Sequence, residues 1–160
     1  MGRAYNVVGS PHILSPARDR ESKLDAMEIR PVLTPDAPEP AGHYSQAIVY
    51  NGIVYVSGQL AIDPQTGEKQ LGSIEAQTEQ TLKNVGEILK ACDSDLSRVL
   101  KMTIYISDMD LWGAVNSAYA RVMGEHRPAR AVVPVKDLHH GFQIEIEAVA
   151  ATREPRERGA

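Results

Sequence analysis

From Phe142 to Ala151 the chain alternates so regularly that one local structure accommodates it. Phe142, Ile144, Ile146, Ala148 and Ala150 interleave with Gln143, Glu145, Glu147, Val149 and Ala151, a period of two that belongs to a β-strand. Glu145 and Glu147 therefore share one face. An ionised carboxylate is costly to bury without partners, so that face is not ordinary core, and the strand is too apolar elsewhere to be an edge washed by solvent. A subunit interface or a ligand pocket resolves the conflict; solvated glutamates, or structural pairs with lysines and arginines, are the plainer alternative. Upstream, Pro128 fixes the approach to another strand in which Arg130 comes early. A guanidinium fork there can grip a carboxylate with two parallel bonds, although an arginine and a glutamate across neighbouring strands could equally be a plain ion pair.

The rest of the chain supplies partners for these strands. Ala47-Ile48-Val49-Tyr50 and Ile53-Val54-Tyr55-Val56 flank Asn51-Gly52, two residues that tolerate positive φ and predict a tight antiparallel hairpin. Ser57-Gly58-Gln59 ends the second of these strands, and the glycine lets another group approach the backbone. Asp63-Pro64-Gln65-Thr66-Gly67 is a turn. Ser73 is placed to cap a helix running to about Ala91, with Glu75 and Glu79 near its positive end and Thr78, Leu82, Val85, Leu89 and Cys92 as its apolar stripe. Leu100, Met102, Ile104 and Ile106 then alternate with Lys101, Thr103 and Tyr105 as a half-buried strand. Asp108 or Asp110 caps a second helix whose stripe is Leu111, Val115, Ala118, Tyr119 and Val122, ending near Gly124. Two helices of one-sided apolarity beside a sheet pack as a two-layer α+β domain with both helices on one face. The opposite face, carrying Glu145, Glu147, Lys101 and Tyr105, then needs a cover, and oligomerisation is expected.

Residues 1–26 form no core element: Ser10-Pro11 and Ser15-Pro16 punctuate them, and Arg18-Asp19-Arg20-Glu21-Ser22-Lys23 is charged without periodicity. We expect a disordered or non-native extension there, a native start at Met27, a domain over 27–152 and a charged tail at 153–160. Thr34-Pro35-Asp36-Ala37-Pro38-Glu39-Pro40 is a stiff, extended loop leading to Tyr44-Ser45-Gln46. A net charge of −4 argues against nucleic-acid or anionic-membrane partners. The single cysteine, Cys92, sits at helical spacing and reads as core. Without a signal-like or spanning apolar stretch, a cytoplasmic location is the expectation.

Taken in order, Tyr44-Ser45-Gln46-Ala47, Val56-Ser57-Gly58-Gln59, Pro64-Gln65-Thr66-Gly67-Glu68, Val115-Asn116, Arg127-Pro128-Ala129-Arg130 and Ile144-Glu145-Ile146-Glu147-Ala148 resemble the RidA/YjgF family of reactive-intermediate deaminases, from about Ile29 to Ala151. The resemblance implies a chorismate-mutase-like subunit, a homotrimer whose sheets form a central barrel, and ligand clefts between chains. It implies a hydrolase that turns small enamine or imine acids such as 2-aminoacrylate and 2-iminopropionate into 2-keto acids and ammonia, a 2-iminobutanoate/2-iminopropanoate deaminase-like activity, with no metal or other cofactor. Carried over by motif, Arg130 clamps the substrate carboxylate, Glu145 orients or activates water as general base, and Tyr44, Ser57, Gly58 and Asn116 shape the pocket. Two departures bear on the substrate: His43 stands where the family commonly has proline, and Ala131-Val132 replaces a serine and a cysteine after Arg130. His139 and His140 adjoin without metal-site spacing and could line the cleft rim. The alternatives are a deaminase of a larger enamine acid such as an aminomuconate, and a non-catalytic, chaperone-like trimer that binds small carboxylates.

Overall fold

The computed structural model of the protein describes residues 28–153; the expectations about residues 1–26, a start at Met27 and the tail beyond Arg153 lie outside them. The strands are β1 (Arg30–Val32), β2 (Ala47–Tyr50), β3 (Ile53–Gln59), β4 (Val99–Ile106), β5 (Ala129–Pro134) and β6 (Ile144–Ala151), and the helices α1 (Ile74–Ala91) and α2 (Trp112–Met123). The six strands form one mixed sheet in the order β1-β2-β3-β6-β4-β5. All pairs are antiparallel except β4 with β5, which α2 joins as a parallel crossover.

Local chemistry explains most boundaries. Asn51 and Gly52 turn the β2–β3 hairpin with φ of 49° and 74°, the left-handed conformation that such a turn requires. Ser73 caps α1 through its side chain, which accepts from the Ala76 amide. Asp63 accepts from the Gln65 and Thr66 amides to close the turn after β3. Gly124 ends α2 with φ of 59°.

One face of the sheet packs on both helices. Val54, Val56, Met102, Ile104, Ile106, Ile144, Ile146, Ala148 and Ala150 meet Leu82, Val85, Ile88, Leu89, Val115 and Tyr119 in a single buried cluster. Each large aliphatic side chain buried there contributes about 1.5–3 kcal/mol. No helix of the described residues is long and apolar enough to cross a membrane.

Three boundaries differ from the sequence reading. The ladder between β4 and β6 shifts register between Val99 and Lys101, so Val99 is buried while Leu100, expected inward, is 49% exposed; such a bulge resets the alternation. Asp108 caps a 3-10 turn, Met109–Leu111, rather than α2 itself, which starts at Trp112 without a side-chain cap. Phe142, expected inside the last strand, instead follows a further 3-10 turn at His139–Gly141, and β6 begins at Ile144.

Candidate active site

Arg130 belongs to the edge strand β5 and pairs in register with Met102 of β4. Paired residues point to the same side of a sheet, so Arg130 shares the helix side with the buried Met102. There its Nη2 donates to Asn116 Oδ1 at 2.9 Å, and its guanidinium carbon lies 4.6 Å from the centroid of the Tyr119 ring. Asn116 and Tyr119 are three residues apart on α2, the spacing that stacks side chains on one helix face. A cation is thus held at the sheet edge, and among the described residues no carboxylate pairs with it.

Glu145 stands on the other side. It pairs with Tyr105 of β4, as Glu147 pairs with Thr103, and the intervening Ile146 and Ile104 turn toward the helices. Tyr105 Oη donates to Glu147 Oε1 at 3.1 Å. The Glu145 carboxylate rests on Gly58: a Cβ built on that glycine would come within 1.9 Å of Glu145 Oε1. The room exists because Ser57 and Gly58 form a bulge, lying between the Val56–Ala148 and Gln59–Ile146 pairs opposite the single residue Glu147. Burial pushes the Glu145 carboxyl above the ordinary glutamate value, the positive charge of nearby His139 opposes the rise, and Glu147 adds to it. A carboxylate made more basic in this way suits proton abstraction from water.

A pairing of arginine with glutamate across neighbouring strands is therefore excluded within one chain. β4 separates β5 from β6, and the two side chains leave opposite faces. The notion that Glu145 or Glu147 is merely ion-paired also finds no support, since the ion pairs of the described residues are Lys90–Glu87, Arg121–Glu79 and Arg153–Asp95.

Over residues 34–152 the chain matches the family model described as endoribonuclease L-PSP. The chain belongs to the RidA/YjgF family. Among its relatives is the 2-iminobutanoate/2-iminopropanoate deaminase of Rattus norvegicus, 42% identical over 123 residues that cover 76% of this chain and 90% of the rat protein. The human protein of the same name is 40% identical over 121 residues, covering 76% and 88% of the two chains. The solved structure of yeast Mmf1 superposes with a TM-score of 0.76 at 36% identity, covering 79% of this chain and all of that one (100%). Escherichia coli TdcF with bound serine gives 0.74 at 31% identity, covering 78% and 99%.

Within this RidA/YjgF chain two of the remaining motif residues divide between the two sides. Asn116 belongs with Arg130, and Gly58 with Glu145. Ser57 lies in the Gly58 bulge, and its hydroxyl donates to the Ser45 carbonyl at 2.6 Å. Tyr44 is 52% exposed, and its amide donates to the Gly42 carbonyl. Gln46 locks the proline-rich loop in front of Tyr44: its Oε1 accepts from the Thr34 amide at 2.6 Å, and its Nε2 donates to the Thr34, Ala37 and Pro38 carbonyls. Cys92 is buried and its thiol is pushed up to about 11, first by burial, so it is inert as a nucleophile. Sequence reasoning missed the ring of Tyr119 beneath Arg130 and treated it as core alone; its place three residues after Asn116 was the available signal. The influence of His139 on Glu145 was missed as well, because the turn that brings them together is not periodic.

Proposed function

We propose that the protein hydrolyses small 2-imino and 2-enamine acids to 2-keto acids and ammonia, in clefts completed between the subunits of a homotrimer whose sheets form a barrel. Arg130, backed by Asn116, binds the substrate carboxylate. Glu145 takes a proton from a water as its oxygen bonds to the imine carbon, and the proton passes to the nitrogen. The hydroxyl proton of the resulting carbinolamine then passes to the same nitrogen as the carbon–nitrogen bond breaks, leaving a carbonyl and ammonia; a 2-enamine acid enters after its β-carbon gains a proton and its nitrogen loses one. Ser57 and Gly58 belong to the Glu145 side of the cleft, and the exposed Tyr44 helps to shape the pocket. A cytoplasmic setting goes with this reading.

The separation of Arg130 and Glu145 on opposite faces of one sheet carries the proposal. Each side is prepared for a different part of one reaction: a guanidinium with donors to spare, and a carboxylate raised in basicity by burial. In this reading a second chain brings the two faces together. The names of the rat and human relatives supply the reaction class. Fixing a small acid between clamp and base can lower a barrier by about 7 kcal/mol or more in favourable cases, and imine hydrolysis needs little beyond positioning.

The test is decay of 2-iminopropionate generated in place by an amino-acid oxidase. Wild type should accelerate it and Arg130→Ala should not, while light scattering should give roughly three times the 17.5 kDa chain mass. If wild type matches buffer on this substrate and accelerates hydrolysis of a larger enamine acid such as an aminomuconate, the small-substrate reading is replaced. Failure on both leaves a carboxylate-binding trimer without catalysis.

A further inference from the structure

We propose that Tyr119 is a positioning residue for the Arg130 clamp, and that its ring face rather than its hydroxyl does the positioning. The inference rests on Arg130 binding a carboxylate, as argued above. Arg130 projects from the edge strand of its own chain's sheet, where no further strand of that chain confines a long side chain and many rotamers are open to it. Its one hydrogen bond among the described residues, from Nη2 to Asn116 Oδ1 at 2.9 Å, fixes a single corner of the guanidinium. A plane held at one corner can still tilt, and a carboxylate binds bidentately only when the fork lies in its own plane. The Tyr119 ring supplies the second constraint, with its centroid 4.6 Å from the guanidinium carbon, within the range of a cation–π contact. Together the amide oxygen and the ring leave the remaining N–H groups free of protein acceptors among the described residues and available to a ligand.

The hydroxyl contributes nothing to this arrangement. Tyr119 is 7% exposed, and its phenolic oxygen is buried without a hydrogen-bond partner among the described residues. Burial pushes the phenol above its ordinary pKa, with the charge of Arg130 opposing, so a neutral ring meets the cation and the contact is not an ion pair. Phenylalanine should therefore replace Tyr119 in full, whereas an aliphatic residue of similar size should not.

Two readouts test this on the full-length protein. In 15N-correlated NMR spectra the Nε–H signal of Arg130, assigned by its loss in Arg130→Lys, should lie upfield of the other arginines because it sits against a ring. Tyr119→Phe should keep that shift, while Tyr119→Leu and the more flexible Tyr119→Met should move it back to the ordinary range. With 2-iminopropionate, Tyr119→Phe should behave as wild type, and the two aliphatic variants should raise KM about three- to tenfold with a smaller change in kcat, matching the usual strength of a cation–π contact. Titration with pyruvate should show the same loss of carboxylate affinity. An unshifted Arg130 signal in wild type overturns the inference without needing any variant. So does a Tyr119→Phe defect as large as that of Tyr119→Leu. If wild type hydrolyses no imino acid, the deaminase reading falls, and the NMR shift with the pyruvate titration still decides the role of Tyr119.

Discussion

Replacing Gly58 by alanine should disable the protein while leaving it folded. The added methyl carbon would sit 1.9 Å from Glu145 Oε1, 2.9 Å from Cδ and 3.2 Å from Cγ. Ordinary carbon–oxygen contact is about 3.4 Å, so the carboxylate must retreat by about 1.5 Å. The obstructing atoms are the far end of a side chain that can swing away, and Gly58 is not among the glycines with positive φ, so the backbone tolerates a Cβ. The stability cost should stay near 1 kcal/mol. A base displaced by more than 1 Å is another matter, and kcat should fall by about a hundredfold or more. Imine decay and denaturant unfolding on the same preparation separate the two effects. Wild-type kcat in Gly58→Ala would refute the reasoning, as would a loss of activity explained by loss of the fold. The Gly58→Ala, Glu145→Gln double variant should be hardly worse than either single one, because both remove the same placed carboxylate.

Gln46→Ala should cost about 2–4 kcal/mol, since it orphans the backbone groups of Thr34, Ala37 and Pro38 that the buried amide satisfies; denaturant unfolding measures it, and a cost below about 0.5 kcal/mol, the level of an ordinary surface change, would contradict the hub. Glu145→Gln should raise the melting temperature at pH 8. The carboxyl is raised in the folded state by burial, so its favourable contribution is present below the unfolded pKa and is lost as pH rises through the folded one. The advantage of the variant should therefore shrink toward about pH 4, where wild type is protonated as well; a difference independent of pH would sink this assignment.

The features legible in the sequence are those encoded locally. Asn51-Gly52 announced its hairpin because both residues must adopt positive φ, and Ser73 announced α1 because a hydroxyl at that place satisfies a free amide. The alternation of Ile144, Glu145, Ile146 and Glu147 gave the correct faces of β6, and the same count put Tyr105 beside the glutamates. Leu100 was misread because a bulge adds a residue that periodicity cannot see. The relation of Arg130 to Glu145 was hidden for a different reason. It depends on β4 lying between β5 and β6 and on the parity of two separate ladders, a long-range pairing that no local pattern records. The contact of Gly58 with Glu145 depends on a bulge in β3 in the same way.

Subunit complementation tests the central claim most directly. Arg130→Ala and Glu145→Gln should each be inactive alone. Dissociated, mixed in equal amounts and reassembled, they should recover activity, because an intact Arg130 meets an intact Glu145 from the neighbouring chain at roughly one interface in four of a randomly mixed cyclic trimer. Recovery of about a quarter of wild-type imine hydrolysis is the result expected. No recovery, with exchange of subunits verified by native mass spectrometry, would mean that clamp and base do not meet across chains.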